Sequence, residues 1–124
     1  MNIAICNFKE ISFIPDQFDT GVADFKKRKK QEVWFKAELE KNICGCACLL
    51  ILSQSTARLS RLFVLPEYRG QGISKKLIWA REEFARAKKF KKIDTKTYLN
   101  YEKFGFQKKH VYKNNFYWWV KVLK

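Results

Sequence analysis

The sequence predicts a single α/β (α+β) domain, residues 1–124, in which a mixed, mostly antiparallel sheet is flanked by helices. Three observations carry that reading. Three consecutive segments between Gln31 and Leu65 are strand-like, alternating or apolar, and are joined by short turns, the pattern of an antiparallel meander. A later segment, entered through two closely spaced glycines, repeats apolar residues at steps of three and four, as a helix laid on a sheet does. The chain has 124 residues, 47% of them hydrophobic, enough for one core and too few for two.

The elements come from periodicity. Met1 to Asn7 reads as a first strand. From Pro15 a helix places Phe18, Val22 and Phe25 on one face, with Asp16, Asp19 and Asp24 early and the run Lys26 to Lys30 late, matching the helix dipole. Gln31 to Glu40 alternates, with Val33, Phe35, Ala37 and Leu39 on one face and Glu32, Trp34, Lys36, Glu38 and Glu40 on the other. Lys41 and Asn42 turn into a strand from Ile43 to Ser53, and a second turn near Gln54 and Ser55 leads to a strand from Ala57 to Leu65, which Pro66 ends. The next helix has Ile73, Leu77, Ala80, Phe84 and Ala87 on its apolar face. Lys92 to Tyr98 alternates as a strand, a short helical stretch spans Tyr101 to Phe104, and Gly105 stops it. The tail is a hairpin turning at Asn114 and Asn115.

Charge is the unusual quantity: 26 Lys and Arg against 12 Asp and Glu leave a formal +14. Such a field concentrates polyanions, so nucleic acid is one expected partner; a lysine-rich soluble surface is the alternative. No apolar run approaches the roughly 18 residues needed to cross a bilayer, so no membrane partner is expected. The amino terminus lacks a basic leader before an apolar run, and the expectation is a cytoplasmic protein with reduced thiols. Cys44, Cys46 and Cys48 alternate, so in a flat strand they share one face, opposite Gly45 and Ala47. Alternate side chains there stand about 7 Å apart, too far for a tight thiolate cage even with Cys6. They read as small core residues, with no metal site.

The stretch TyrArgGlyGlnGlyIleSerLysLys, Tyr68 to Lys76, joins a strand end to a helix start. Gly70 and Gly72 allow backbone conformations that other residues resist. The first amides of the helix, its dipole and Arg69 favour a phosphate or pyrophosphate. Neither the dinucleotide fingerprint nor the P-loop spacing is present, since Lys75 stands where the former needs glycine.

Leu62 to Ile78 as a whole resembles the central motif of the GNAT superfamily of N-acetyltransferases, with Arg69, Gly72 and Ser74 in the places of that family's Arg/Gln, Gly and Gly/Ala. TyrGluLysPheGlyPhe, Tyr101 to Phe106, is similar to the family's late Tyr-x-x-x-Gly-Phe element. The resemblance spans Leu59 to Phe106 and implies a GNAT fold of about six to seven strands. It implies acetyl-CoA or another acyl-CoA, its pyrophosphate on the amides of Gly70, Gln71, Gly72, Ile73 and Ser74. The pantetheine arm would run along Phe63, Val64 and Leu65, where a backbone N–H polarises the thioester. Tyr101 is then the acid that protonates the departing thiolate, with Tyr98 its rival. Family members often carry a glutamate on the central strands, where this chain has Arg58, Ser60 and Arg61; these become candidate acceptor-binding residues. Glu38 is the candidate base, with Glu40, Asp94 and His110 behind it.

The resemblance implies an acyl-CoA-dependent N-acyltransferase, its amine acceptor and oligomeric state undetermined. Two alternatives keep the fold. Arg58, Arg61 and the aromatic, basic tail are similar to the phage Mom family, whose members modify adenine in DNA; the tail aromatics otherwise alternate into the core. A shortened GNAT-like domain that only binds is the other alternative.

Overall fold

The structure, a computed structural model, describes residues 1–14 and 31–124. The helix expected from Pro15, with its basic run, lies outside the described residues. The described elements are β1 (Asn2–Cys6), α1 (Phe8–Ile11), β2 (Glu32–Leu39), β3 (Asn42–Ile51), β4 (Thr56–Val64), α2 (Ile73–Ala87), β5 (Lys92–Thr97), β6 (Gln107–Val111) and β7 (Tyr117–Val122). Short 3-10 turns cover Pro66–Tyr68, Glu102–Phe104 and Lys113–Asn115.

One seven-stranded sheet holds them, in the order β1-β2-β3-β4-β5-β7-β6. Every neighbouring pair is antiparallel except β4 and β5. That exception comes from connectivity, because α2 carries the chain back across the sheet between them and a crossover makes parallel neighbours. The meander expected from alternation is β2-β3-β4. Glu40 and Lys41, at φ 51° and 70°, make its first turn, the double left-handed geometry that matches strand twist. Asn114 and Asn115, at φ 62° and 60°, turn the last hairpin, since asparagine tolerates that region.

Apolar residues bury on both faces of the sheet. On one, Phe35, Ala37, Ala47, Leu49, Leu59 and Val64 pack with Ile73, Leu77 and Ala85 of α2. On the other, Trp34, Cys46 and Cys48 pack with Ile11 and Ile14, so Trp34, which alternation alone assigns to a polar face, is buried. The tail aromatics divide: Trp119 joins the main core, and Trp118 donates its indole N–H to Asp94 at 2.9 Å.

Two expectations are corrected. The three cysteines do not share a face: a bulge between Ala37 and Glu38 leaves Cys44 as the extra residue of β3, so Cys44 turns to the α2 side while Cys46 and Cys48 face the other way. Its thiol donates to the Ala37 carbonyl at 3.3 Å. The buried stripe of α2 is Ile73, Leu77, Arg81 and Ala85, with Ile78 beside it. Steps of four carry it past Ala80 and Phe84, which are half-buried, and leave Ala87 exposed.

Candidate active site

The site begins where the sheet opens. β4 and β5 pair only at Thr56/Lys92, Ala57/Ile93 and Arg58/Asp94. The next link is a side chain, Thr95 Oγ1 donating to the Leu59 carbonyl at 3.2 Å. From there β5 continues with β7 as far as Thr97 and Tyr117, and the far half of β4 has no strand on that side. A bulge makes the departure sharper: Ala47 faces Leu62 and Cys48 faces Ser60, leaving Arg61 as the extra residue, at φ 42°. Bulges bend a strand and re-aim the side chains beyond them.

The opening is a cleft of about 330 Å³ bounded by Arg58 to Leu62 on one wall and by Thr95 to Thr97, Leu99 and Tyr101 on the other. Beyond it, Leu65 donates its N–H to the Cys44 carbonyl at 2.8 Å. Strand polarity alternates, so Val64 turns its own N–H and C=O to the open edge. Its carbonyl there accepts from Arg69 Nε at 2.9 Å, which ties the glycine loop to the end of β4. Arg69 also lies over the Phe63 ring, 5.3 Å from its centroid.

The loop is built for a close approach of backbone. Gly70 and Gly72 sit at φ 83° and 79°, and a side chain on either would meet only open space; the glycines are needed for conformation. Among the described residues, no hydrogen bond uses the N–H of Gly70, Gln71, Gly72, Ile73, Ser74 or Lys75. The last three open α2, whose first turn has no intrahelical partners to offer. A second cleft of about 260 Å³ lies against this loop, lined by Val64, Gly70, Gly72 and Ser74 and flanked by Lys75 and Lys103. Unused amides, a helix start and two ammonium groups suit a diphosphate. The motif alone does not assign Lys103; its place two residues after Tyr101 is the available signal.

Tyr101 is buried, at 5% exposure, and lines the β4/β5 cleft. Its ring meets Phe104 and Phe106 edge-on, each centroid 5.4 Å away. Burial raises its pKa, and the nearby Arg81 charge opposes that rise. Arg81 is the residue that sequence reasoning misses. It is 1% exposed and lines the same cleft. Its Nε donates to the Leu77 carbonyl at 3.1 Å, and its Nη1 to Cys48 and Ser60 carbonyls at 2.9 and 3.2 Å, across the bulge. Burial pulls its pKa down to about 10, against the nearby Tyr101, Cys48 and Cys46. The available signal is its place in the step-of-four stripe.

Other candidates lie elsewhere or are engaged. Glu38 is not among the cleft residues; Lys36 pairs with it at 2.8 Å and with Glu10 at 2.7 Å. Asp94 is buried and holds Arg58 through two bonds of 2.9 Å, so Arg58 reaches the cleft already neutralised. Glu40 is in the β2-β3 turn. His110 is on the exposed β6, its ring 4.4 Å from Tyr112. Tyr98 is 65% exposed and packs on Phe116. Gln71 is exposed. No helix among the described residues is long and apolar enough to cross a membrane.

The geometry has clear counterparts. A family model described as the acetyltransferase (GNAT) family matches residues 2–106. A GNAT family acetyltransferase from Elizabethkingia anophelis, solved with acetyl-CoA bound, superposes with a TM-score of 0.84 at 18% identity, over 98% of this chain and 97% of that one. An IAA acetyltransferase from Bacillus cereus gives 0.84 at 17%, over 98% and 99%. A Bacillus subtilis acetyltransferase in complex with CoA gives 0.82 at 15%, over 99% of each chain. No curated protein is a significant match. Identities this low speak for the fold, whereas the family match spans most of the chain and includes the β4 strand, the glycine loop and Tyr101. This chain belongs to the GNAT acetyltransferase family.

Proposed function

We propose that the protein is an acyl-CoA-dependent N-acyltransferase that acts by direct attack of an amine on the thioester, most simply with acetyl-CoA. The observation that carries this reading is the run of six unused backbone N–H groups from Gly70 to Lys75, leading along an unpaired β4 edge to a cleft that contains Tyr101. Relatives of the same fold hold acetyl-CoA or CoA. The residues here fit that ligand: the amides, Lys75 and Lys103 for its diphosphate, and the open edge of β4 for its amide-bearing arm.

The thioester supplies an activated acyl carbon. The Val64 N–H is a preset donor for the charge that develops on the carbonyl oxygen during attack, where such donors are most effective. As the new C–N bond forms and the C–S bond breaks, Tyr101 gives its proton to the departing sulfur and recovers one as the amine nitrogen loses its own. Arg81 favours charge on that sulfur. Among the described residues no carboxylate lines the cleft, and none is needed: Arg81 and Lys96 disfavour an ammonium there, so the acceptor enters as the neutral nucleophile.

Isothermal calorimetry with acetyl-CoA tests the reading. Wild type is expected to bind, and Gly72→Glu to lose at least about tenfold in affinity, because a carboxylate replaces the diphosphate's share of the amides and the φ is strained. Absence of binding at low salt, or equal binding by the variant, contradicts it.

A further inference from the structure

We infer that the acceptor amine carries an acidic group, a carboxylate or a phosphate, which the β4/β5 cleft receives beside Arg81. This rests on the acyl-transfer reading and assigns that site its substrate class. Among the described residues that line the cleft, Arg58, Arg61, Arg81 and Lys96 are cationic and none is acidic. Arg58 is already answered by a carboxylate, Asp94, through two bonds of 2.9 Å. Asp94 itself takes a third bond, from Trp118, and has no capacity left for another cation.

Arg81 is the decisive member. A charge that is 1% exposed is costly unless an opposite charge meets it, and no carboxylate of the described residues pairs with it. The ionisable groups near it are Tyr101, Cys48 and Cys46, none of them a carboxylate, and burial pushes Cys46 up to about 12 and Tyr101 upward as well, so those two are neutral. Its Nε donates to the Leu77 carbonyl one turn back in α2, and its Nη1 to the Cys48 and Ser60 carbonyls at the β4 bulge. Those carbonyls require donors, not a net charge. Its Nη2 has no partner among the described residues. A guanidinium that no carboxylate of the described residues meets, at the wall of a cleft that also presents Lys96, selects an anion. An amine joined to that anion is brought against the thioester by it.

The test uses matched acceptors with acetyl-CoA and reads free thiol: an amino acid, its primary amide and the amine lacking the carboxyl group, together with an aminoalkyl phosphate and the corresponding amino alcohol. The acid-bearing member of a set is expected to exceed its neutral partners in kcat/KM by about tenfold or more, as a charge-assisted hydrogen bond provides. Arg81→Met should narrow that gap through KM, Arg81→Lys should restore part of it, and Lys96→Gln, an exposed change that leaves the core intact, should narrow it less. If no acid-bearing amine exceeds its neutral partner, absent turnover included, the inference is overturned. It is equally overturned if succinyl-CoA outruns acetyl-CoA on a neutral amine, because the acidic group then belongs to the acyl chain. Calorimetric binding of acetyl-CoA, measured alongside, separates the two levels: lost binding defeats the acyl-transfer reading, and retained binding without acid preference defeats this one alone.

Discussion

Tyr101 and Asp94 both bear on the cleft, and their surroundings assign them opposite tasks. Tyr101 has aromatic neighbours and a buried cation, so it keeps its proton into the alkaline range: burial sets its pKa above the ordinary 10. We expect kcat/KM to rise with pH as the free acceptor loses its proton, and kcat to hold until above about pH 10. Tyr101→Phe should lower kcat by about 10² or more, the share that a positioned acid supplies, with acetyl-CoA affinity unchanged by calorimetry; an unaltered kcat would remove Tyr101 from the chemistry. Asp94, by contrast, is a structural carboxylate that accepts from Arg58 and Trp118. Asp94→Asn should cost about 2–3 kcal/mol in denaturant unfolding, less than a fully buried pair because Arg58 reaches solvent. A loss below about 0.5 kcal/mol, typical of surface changes, would show that the pair holds nothing together.

Among the elements, the connection from β4 into α2 is the part whose shape decides function. Gly70→Ala removes no contact, since the space around it is open, yet it forces φ 83° on a side chain. It should cost about 1 kcal/mol of stability and weaken acetyl-CoA binding about tenfold, compared by calorimetry with a Gln71→Ala control. This loop is legible in the sequence because glycine spacing, arginine and the helix start are all local. So are the strands β2 to β4, whose side-chain patterns and turns are local too, and the Asn114-Asn115 hairpin. What periodicity cannot supply is set by partners far along the chain. The Cys44 and Arg61 bulges exist only against a neighbouring strand, and one extra residue reverses the faces that alternation assigns. The charge of Arg81 points it outward on a sequence reading. Its helical position says inward, and only the bulge opposite it supplies the carbonyls to which its Nη1 donates. Trp34 is misplaced by alternation in the same way, since the residues that cover it lie on α1 and at Ile14, before β2 in the chain.

For the whole molecule, a formal +14 surrounds a site argued to take a polyphosphorylated thioester and an acidic acceptor. The field should therefore raise the affinity for acetyl-CoA in a salt-sensitive way. Going from about 0.05 to 0.3 M salt should weaken binding about threefold or more; a flat response would mean that the amides alone provide it. The central claim is that the backbone N–H groups of Gly70 to Lys75 hold the ligand's diphosphate. A titration of 15N-labelled protein with CoA, monitored by amide resonances, tests this most directly. The account predicts that the largest downfield proton shifts fall on Gly70 to Lys75, with Val64 also moving. Saturable binding that leaves those six resonances in place and moves others would contradict it.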